Sequence, residues 1–273
     1  MLLRTIAGLS LLLTGLIYAL SGLALWLLPV LYIGWYLALL LLAFLILWTF
    51  SIFVDMDKPQ EEDSRLYRTV MYLYVEALIS LVGLKMETAG LEKTPREGRF
   101  LLVCNHQNES DPGILLHYFK KSQMAFISKR ENRDMLIVGP FMHKTLCQLV
   151  NRENDREALK TILKCIQLIK EDKVSVGVFP EGGILVKDKL SHFRSGVLKI
   201  AQKTGVPIVV CTLKGTSDLF HNMKRLKRTP VRLHLVDVIP AEEVQSANTV
   251  ELGEKIYRMM LDDLGPDYDP ESV

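Results

Sequence analysis

Charge is almost absent from the first fifth of this 273-residue chain. Between Met1 and Val54 the only charged side chain is Arg4, although the whole chain carries 33 Lys+Arg and 31 Asp+Glu. Two apolar runs, Thr5–Leu28 and Leu31–Val54, therefore lack the polar stripe that a helix on the surface of a soluble protein needs. Cysteine is scarce. Cys104, Cys147, Cys165 and Cys211 are scattered with no Cys-x-x-Cys pair, which argues against a disulfide framework or a cysteine-rich zinc site and for reduced thiols. Glycine (17) and proline (11) are too few for a collagen-like or low-complexity chain. A formal net charge of +2 lacks the basic excess of a dedicated nucleic-acid binder.

Each apolar run has 24 residues, about 36 Å as a helix against a hydrocarbon core of about 30 Å. The connector Pro29-Val30 is short enough to force a hairpin whose two ends emerge on one side. Trp26, Trp35 and Trp48 all fall here, two of them near segment ends, where interfacial aromatics are common. Arg4, Lys58, Arg65 and Arg68 flank the outer ends, which predicts a cell-membrane anchor with the remaining chain on the cytoplasmic side. Two full spans and a hairpin dipping into one leaflet both fit. A cleaved signal peptide does not, because it has no place for the second run. An acidic linker, Asp55–Asp63, leads to Ser64–Leu84, which reads as a helix ending near Gly83. From Val70 to Leu84 its only charge is Glu76, so an interfacial helix, the wall of an acyl-chain groove and ordinary core packing all suit it. The chain is thus divided into a membrane hairpin (1–54), a linker with an apolar helix (55–84) and a soluble domain (85–273).

Beyond Gly98, apolar runs alternate with helical patterns. Candidate strands are Phe100–Cys104, Met124–Ser128, Val174–Phe179, Ile208–Leu213 and Val231–Val238. Candidate helices are Pro112–Lys120, Asp155–Glu171, Phe193–Thr204 and Val250–Leu264. Leu159, Ile162, Leu163, Ile166 and Ile169 recur at helical spacing and predict one buried face. The alternation predicts an α/β fold with a mixed, largely buried sheet flanked by helices. Gly265–Val273 reads as a frayed tail.

Two segments carry chemistry. In the first, Phe100–Pro112, a strand runs into a polar turn and a helix start. There His106 and Asp111 can fold back to touch, the carboxylate fixing the imidazole tautomer so that the other ring nitrogen can take a proton from a hydroxyl. In the second, Val174–Gly183, a buried strand ends in Pro180, Glu181, Gly182 and Gly183. Such a loop can bring backbone N–H groups to an anion while the Glu holds a polyol hydroxyl, and a plain tight turn fits the same residues. Cys104 reads as a small buried hydrophobe. His143, His192, His221 and His234 show no ligand spacing. The basic cluster Lys224–Arg228 suits either anionic headgroups or a solvated loop.

Taken together these blocks resemble the glycerolipid acyltransferases, whose best-known members are the 1-acyl-sn-glycerol-3-phosphate acyltransferases. The resemblance rests on Asn105-His106-x4-Asp111, Phe179-Pro180-Glu181-Gly182 and Gly205-Val206-Pro207-Ile208-Val209, in that order. Ser128-Lys129-Arg130-Glu131, Val150-Asn151-Arg152 and Phe193-Arg194-x-Gly196 are similar to further blocks, and the likeness runs from about Gly98 to Gly215.

The resemblance implies a membrane-bound O-acyltransferase that moves a fatty acyl group from acyl-CoA or acyl-carrier protein to lysophosphatidate, giving phosphatidate. His106 would be the general base and Asp111 its orienting partner, with direct attack on the thioester and no covalent acyl-enzyme. Glu181 and Gly182, with Gly183 beside them, would bind the acceptor's glycerol portion, while Lys129 and Arg152 would lie toward its phosphate. No metal or cofactor is implied. One departure bears on the acceptor. The family usually continues Thr-Arg-Ser after Glu-Gly, its arginine binding phosphate, whereas this chain reads Gly183-Ile184-Leu185. The phosphate is then left to Lys187, Lys189, Arg194, Arg152 or Lys129. A different lysophospholipid or a glycolipid is the nearest rival acceptor. A non-catalytic lipid-binding protein and a thioester hydrolase stand further off, the latter because no Gly-x-Ser-x-Gly elbow occurs.

Overall fold

A computed structural model describes residues 1–151, 154–184 and 186–271. Its helices are α1 (Leu2–Ser21), α2 (Leu28–Ile52), α3 (Arg65–Leu81), α4 (Asp111–Tyr118), α5 (Val138–Lys144), α6 (Asp155–Lys170), α7 (Lys199–Thr204), α8 (Leu219–Lys224), α9 (Ala241–Ser246) and α10 (Thr249–Leu264). The strands are β1 (Leu84–Ala89), β2 (Leu101–Cys104), β3 (Met124–Lys129), β4 (Gln148–Val150), β5 (Ser175–Val178), β6 (Ile208–Lys214) and β7 (Thr229–Ile239). They form one seven-stranded mixed sheet in the order β1-β7-β6-β2-β5-β3-β4. Every neighbouring pair is parallel except β6 and β7.

The central strand β2 is apolar on both sides because both sides are covered. Leu101 and Val103 join Val176, Val178, Ile208 and Val210 beneath α6, α7 and α10. Leu102 and Cys104 face the other way with Val209, Cys211 and Leu213, under Ile114 and Leu115 of α4. Buried parallel strands read as continuous apolar runs for this reason. β1 is an edge strand in which only alternate residues are partly buried at its start, and its polar Lys85, Glu87 and Thr88 concealed it from pattern reading. β4, with three residues, is too short to show a period.

Several details depart from the sequence reading. The hairpin turns at Gly22, not at Pro29-Val30. Gly22 caps α1 in the left-handed region at φ 61°, a short 3-10 turn spans Leu25–Leu27, and Pro29 sits in the first turn of α2, where its missing N–H costs nothing. On α6 the inward face is centred on Thr161, Cys165, Leu168 and Ile169, whereas Leu159 and Leu163 are more than half exposed. The segment before α7 begins as a 3-10 turn, Ser195–Leu198, rather than as a helix from Phe193. The supposed tail is anchored: Tyr268 lies in the core, and its carbonyl accepts from the Leu190 N–H at 2.8 Å.

α1 and α2 pack on each other, and both are long and apolar enough to cross a membrane. The buried polar side chains of α1, Ser10 and Thr14, bond the carbonyls of Ile6 and Ser10, so both hydroxyls are satisfied within the helix. α3 fastens this hairpin to the sheet. Its Tyr67 and Tyr74 hydroxyls donate to the Phe50 and Ala43 carbonyls of α2, at 3.0 and 2.6 Å, so the two helices run antiparallel. Arg68 on α3 is buried. It pairs with both oxygens of Asp63 and donates to the carbonyls of Met124 and Thr145. Arg68 is therefore a structural ion-pair partner rather than a headgroup-facing charge, and it leaves the count of flanking cations.

These contacts fix a direction. Arg68 meets the start of β3, while Gly83, just beyond α3, accepts from Thr229 at the start of β7, which lies beside the end of β6. α3 thus crosses from the N-terminal to the C-terminal edge of the parallel strands. Antiparallel α2 begins well before Ala43, so the hairpin tip extends roughly 10 Å past the end of α3 on the C-terminal side.

Candidate active site

The loop after β2 leaves the sheet in a defined way. Asn105, fully buried, carries the β2–β6 pairing one residue further with its side chain, Nδ2 donating to the Leu213 carbonyl and Oδ1 accepting the Leu213 N–H. His106 follows and turns out over the C-terminal edge. Asp111 opens α4 with Pro112 in its first turn, and its Oδ2 draws in the loop by accepting the N–H groups of Gln107 and Asn108 at 2.6 and 2.7 Å. The same oxygen lies 2.9 Å from His106 Nδ1. A carboxylate oxygen that already accepts two N–H groups accepts from the ring as well, which puts the proton on Nδ1. Nε2 then keeps its lone pair, and no partner occupies it among the described residues. The Asp111 side chain is fully enclosed, while that of His106 is 16% exposed, so the ring reaches solvent and the carboxylate does not.

The second loop arrives behind the first. Phe179–Gly182 is a tight turn closed by the Gly182 N–H on the Phe179 carbonyl, with Pro180 at its second position, where a fixed φ is favoured. Gly182 adopts φ 76°, a region costly for a side chain, and a Cβ there would press on the Arg194 guanidinium. Glu181 is buried and turned toward the first loop. Its Oε1 accepts the backbone N–H of His106 at 2.6 Å and its Oε2 that of Ser191 at 2.9 Å. Burial pushes its carboxyl up to about 7, against the pull of these two N–H groups and of His106. Phe179 stacks on the imidazole, ring centroids 4.2 Å apart, and Phe126 stacks on Phe179 in turn. Gly177 of β5 makes room for this column, since a Cβ there would overlap the Phe126 ring.

Of the residues singled out from sequence, the structure brings His106, Asp111, Glu181, Gly182 and Arg194 together. Gly183 continues the same loop, partly exposed. Lys129 ends β3 on the same sheet edge, exposed and joined to none of these groups by a hydrogen bond or ion pair among the described residues. Arg152 lies outside the described residues. Lys187 is engaged by Asp218 and Lys189 by the Asp269 carbonyl, while Arg194, among the described residues, is an exposed cation beside Glu181-Gly182. Asn105, Phe126, Phe179 and Ser191 were not assigned roles in the sequence reading. Nor was Gln107, which is 5% exposed with neither amide atom paired among the described residues. Cys104 is buried and its thiol is pushed well up by desolvation, as suits a core residue rather than a nucleophile.

Fold and site together define an α/β protein with a carboxylate-oriented imidazole at the C-terminal edge of a mixed sheet, beside an apolar helical hairpin. Residues 85–214 match the family model described as Acyltransferase. A probable 1-acyl-sn-glycerol-3-phosphate acyltransferase of Mycoplasma pneumoniae is 30% identical over 178 residues, 63% of this chain and 64% of its own length. A 1-acyl-sn-glycerol-3-phosphate acyltransferase of Borreliella burgdorferi is 28% identical over 196 residues, 69% of this chain and 76% of its own. The chain spans just under two thirds of the length of the Mycoplasma relatives it matches. The crystal structure of the 1-acyl-sn-glycerophosphate acyltransferase PlsC from Thermotoga maritima shares the fold, with a TM-score of 0.60 at 22% identity over 72% of this chain and 79% of that one. Over residues 85–214 the chain is similar to the acyltransferase family.

Proposed function

We propose that the protein transfers a fatty acyl group from a thioester, acyl-CoA or acyl-carrier protein, to the free hydroxyl of lysophosphatidate. The observation that carries this reading is the His106 Nδ1–Asp111 Oδ2 contact of 2.9 Å, which leaves Nε2 open at the edge toward which the hairpin points. In the proposed step Nε2 takes the hydroxyl proton as the oxygen attacks the thioester carbonyl. The C–O bond forms, the C–S bond breaks, and the departing thiolate recovers the proton from the imidazolium. Asp111 holds the tautomer and stabilises that cation. Glu181 sets the His106 main chain from behind, and the Glu181–Gly183 turn is where the glycerol portion would rest. Arg194, with Lys129 and Arg152 as further cations, would meet the phosphate. The chemistry needs no metal or cofactor, so a chelator is expected to leave the rate unchanged.

α1 and α2 would anchor the protein in the cell membrane, with Arg4, Lys58 and Arg65 placing the sheet on the cytoplasmic side. The test of the step is intact-protein mass spectrometry with labelled acyl-CoA and no acceptor. No acyl adduct should form, whereas a stable adduct would mean a covalent route. A second reading is favoured by the missing arginine after Glu181-Gly182: the same transfer to another lysophospholipid or a glycolipid. A panel of acceptors decides between the two, and preference for a phosphate-free acceptor would replace lysophosphatidate.

A further inference from the structure

The turn between α8 and β7 has an unusual surface. Leu226 is 97% exposed at φ 53°, and Phe220 and Met223 on α8 are 49% and 40% exposed. Lys224, Arg225, Lys227 and Arg228 surround them, all exposed and none in an ion pair among the described residues. The turn is held in shape, since the N–H groups of Arg225 and Lys227 both bond the Asn222 carbonyl and that of Leu226 bonds Met223. Its exit is fixed to the end of α3, where the Thr229 N–H donates to the Gly83 carbonyl and Arg228 lies against Gly83. The last turns of α3 add Leu78 and Leu81, both more than half exposed.

We propose that this turn is a second bilayer contact, in which Phe220, Met223 and Leu226 enter the boundary between headgroups and acyl chains while the four cations meet anionic headgroups. The occupant follows from two observations. An apolar tip ringed by unpaired cations matches an anionic lipid surface in both charge and polarity. The turn also lies on the C-terminal edge of the sheet, the side past which the hairpin tip extends, and α3, with Leu78 and Leu81 exposed in its last turns, is tied to the hairpin and to the exit of the turn. Two separated contacts would fix the tilt of the sheet over the membrane. Nearby, Lys187 and Asp188 of the loop that follows Glu181 bond Asp218 and Ser217, just before α8, so the candidate site would be held facing the lipid. This inference rests on the reading of α1 and α2 as a membrane hairpin.

The experiment labels the full-length protein with an environment-sensitive fluorophore at Leu226→Cys, Leu20→Cys or Lys170→Cys, in vesicles containing phosphatidylglycerol and a lipid-borne quencher. Leu20 reports the hairpin, and Lys170 ends α6 at the far edge of the sheet. Quenching at Leu226 and Leu20 but not at Lys170 is the expected result. Changing Lys224, Arg225, Lys227 and Arg228 to Gln together should then abolish quenching at Leu226 alone, because each cation near an anionic surface is worth roughly fivefold in occupancy. Quenching at Leu20 without quenching at Leu226 would overturn the second contact and leave the hairpin reading intact. Quenching at neither would remove both. A Leu226 probe shielded by an acidic carrier protein and indifferent to lipid would also overturn it, assigning the surface to the acyl donor.

Discussion

The backbone N–H of His106 donates to Glu181 Oε1 at 2.6 Å, joining two loops that lie far apart in sequence. The imidazole is therefore held at three points: its main chain by Glu181, Nδ1 by Asp111 and one face by Phe179. If His106 is the base proposed above, an imidazole held in this way would lose little freedom on acceptor binding, which is the condition for efficient proton transfer. Glu181 turns both oxygens toward main-chain donors, so it braces the His106 loop as well as flanking the place proposed for the acceptor.

Glu181 should leave a pH signature. An unperturbed glutamate carboxyl titrates at 4.5, and burial raises that of Glu181 to about 7 in the folded protein. Between those values the native state holds the extra proton, so the unfolding free energy falls as pH rises and levels off above pH 7. Glu181→Gln does not titrate and loses one N–H bond at every pH, about 1–3 kcal/mol. The stability gap between wild type and variant is expected to be widest near pH 4.5 and to narrow by about 2–3 kcal/mol toward pH 7.5. Thermal midpoints in detergent across this range check it; a gap that widens with pH would contradict it.

Gly177→Ala tests the aromatic column. The added methyl forces the Phe126 ring to tilt, and Phe179 and the imidazole must follow. A stability loss of about 1–3 kcal/mol is expected, together with a lower kcat and little change in KM. Unchanged kcat would show that the column does not position the base.

Arg68→Met should be severe. It leaves the Asp63 carboxylate, with only 8% of its side chain exposed, without its partner, at a cost of about 3–5 kcal/mol. Arg68→Met combined with Asp63→Leu should recover most of that loss. Equal damage from the single and double variants would place the cost in packing or in the bonds to Met124 and Thr145 instead.

Arg194→Gln addresses the acceptor. With lysophosphatidate the KM should rise about tenfold while kcat holds, the usual scale for one charge-assisted hydrogen bond. A phosphate-free acceptor should be indifferent to the change. Equal effects on both would remove Arg194 from phosphate recognition.

Much of this architecture is legible in the residues, for physical reasons that also mark where reading stops. Buried strands such as Ile208–Lys214 announce themselves as apolar runs, and the absence of charge between Arg4 and Asp55 reveals the hairpin. β1 escapes because an edge strand needs only alternate apolar contacts. The hairpin bend escapes because Pro29 is as compatible with a helix start as with a turn, while Gly22 supplies the left-handed residue that ends α1. The face of α6 is misread because Leu159 and Leu163 satisfy the helical period and yet stay in solvent. His106 and Asp111 can be paired from their spacing. The bond from His106 to Glu181 cannot, because it depends on β2 and β5 being neighbours in the sheet.

The most direct test is the lipid product formed by purified wild type and His106→Ala from isotopically labelled acyl-CoA and lysophosphatidate, followed by mass spectrometry. Wild type should yield labelled phosphatidate, and the variant should do so about 10²–10⁴-fold more slowly at an unchanged thermal midpoint. Free fatty acid as the wild-type product, or phosphatidate formed at an undiminished rate by the variant, would contradict the account.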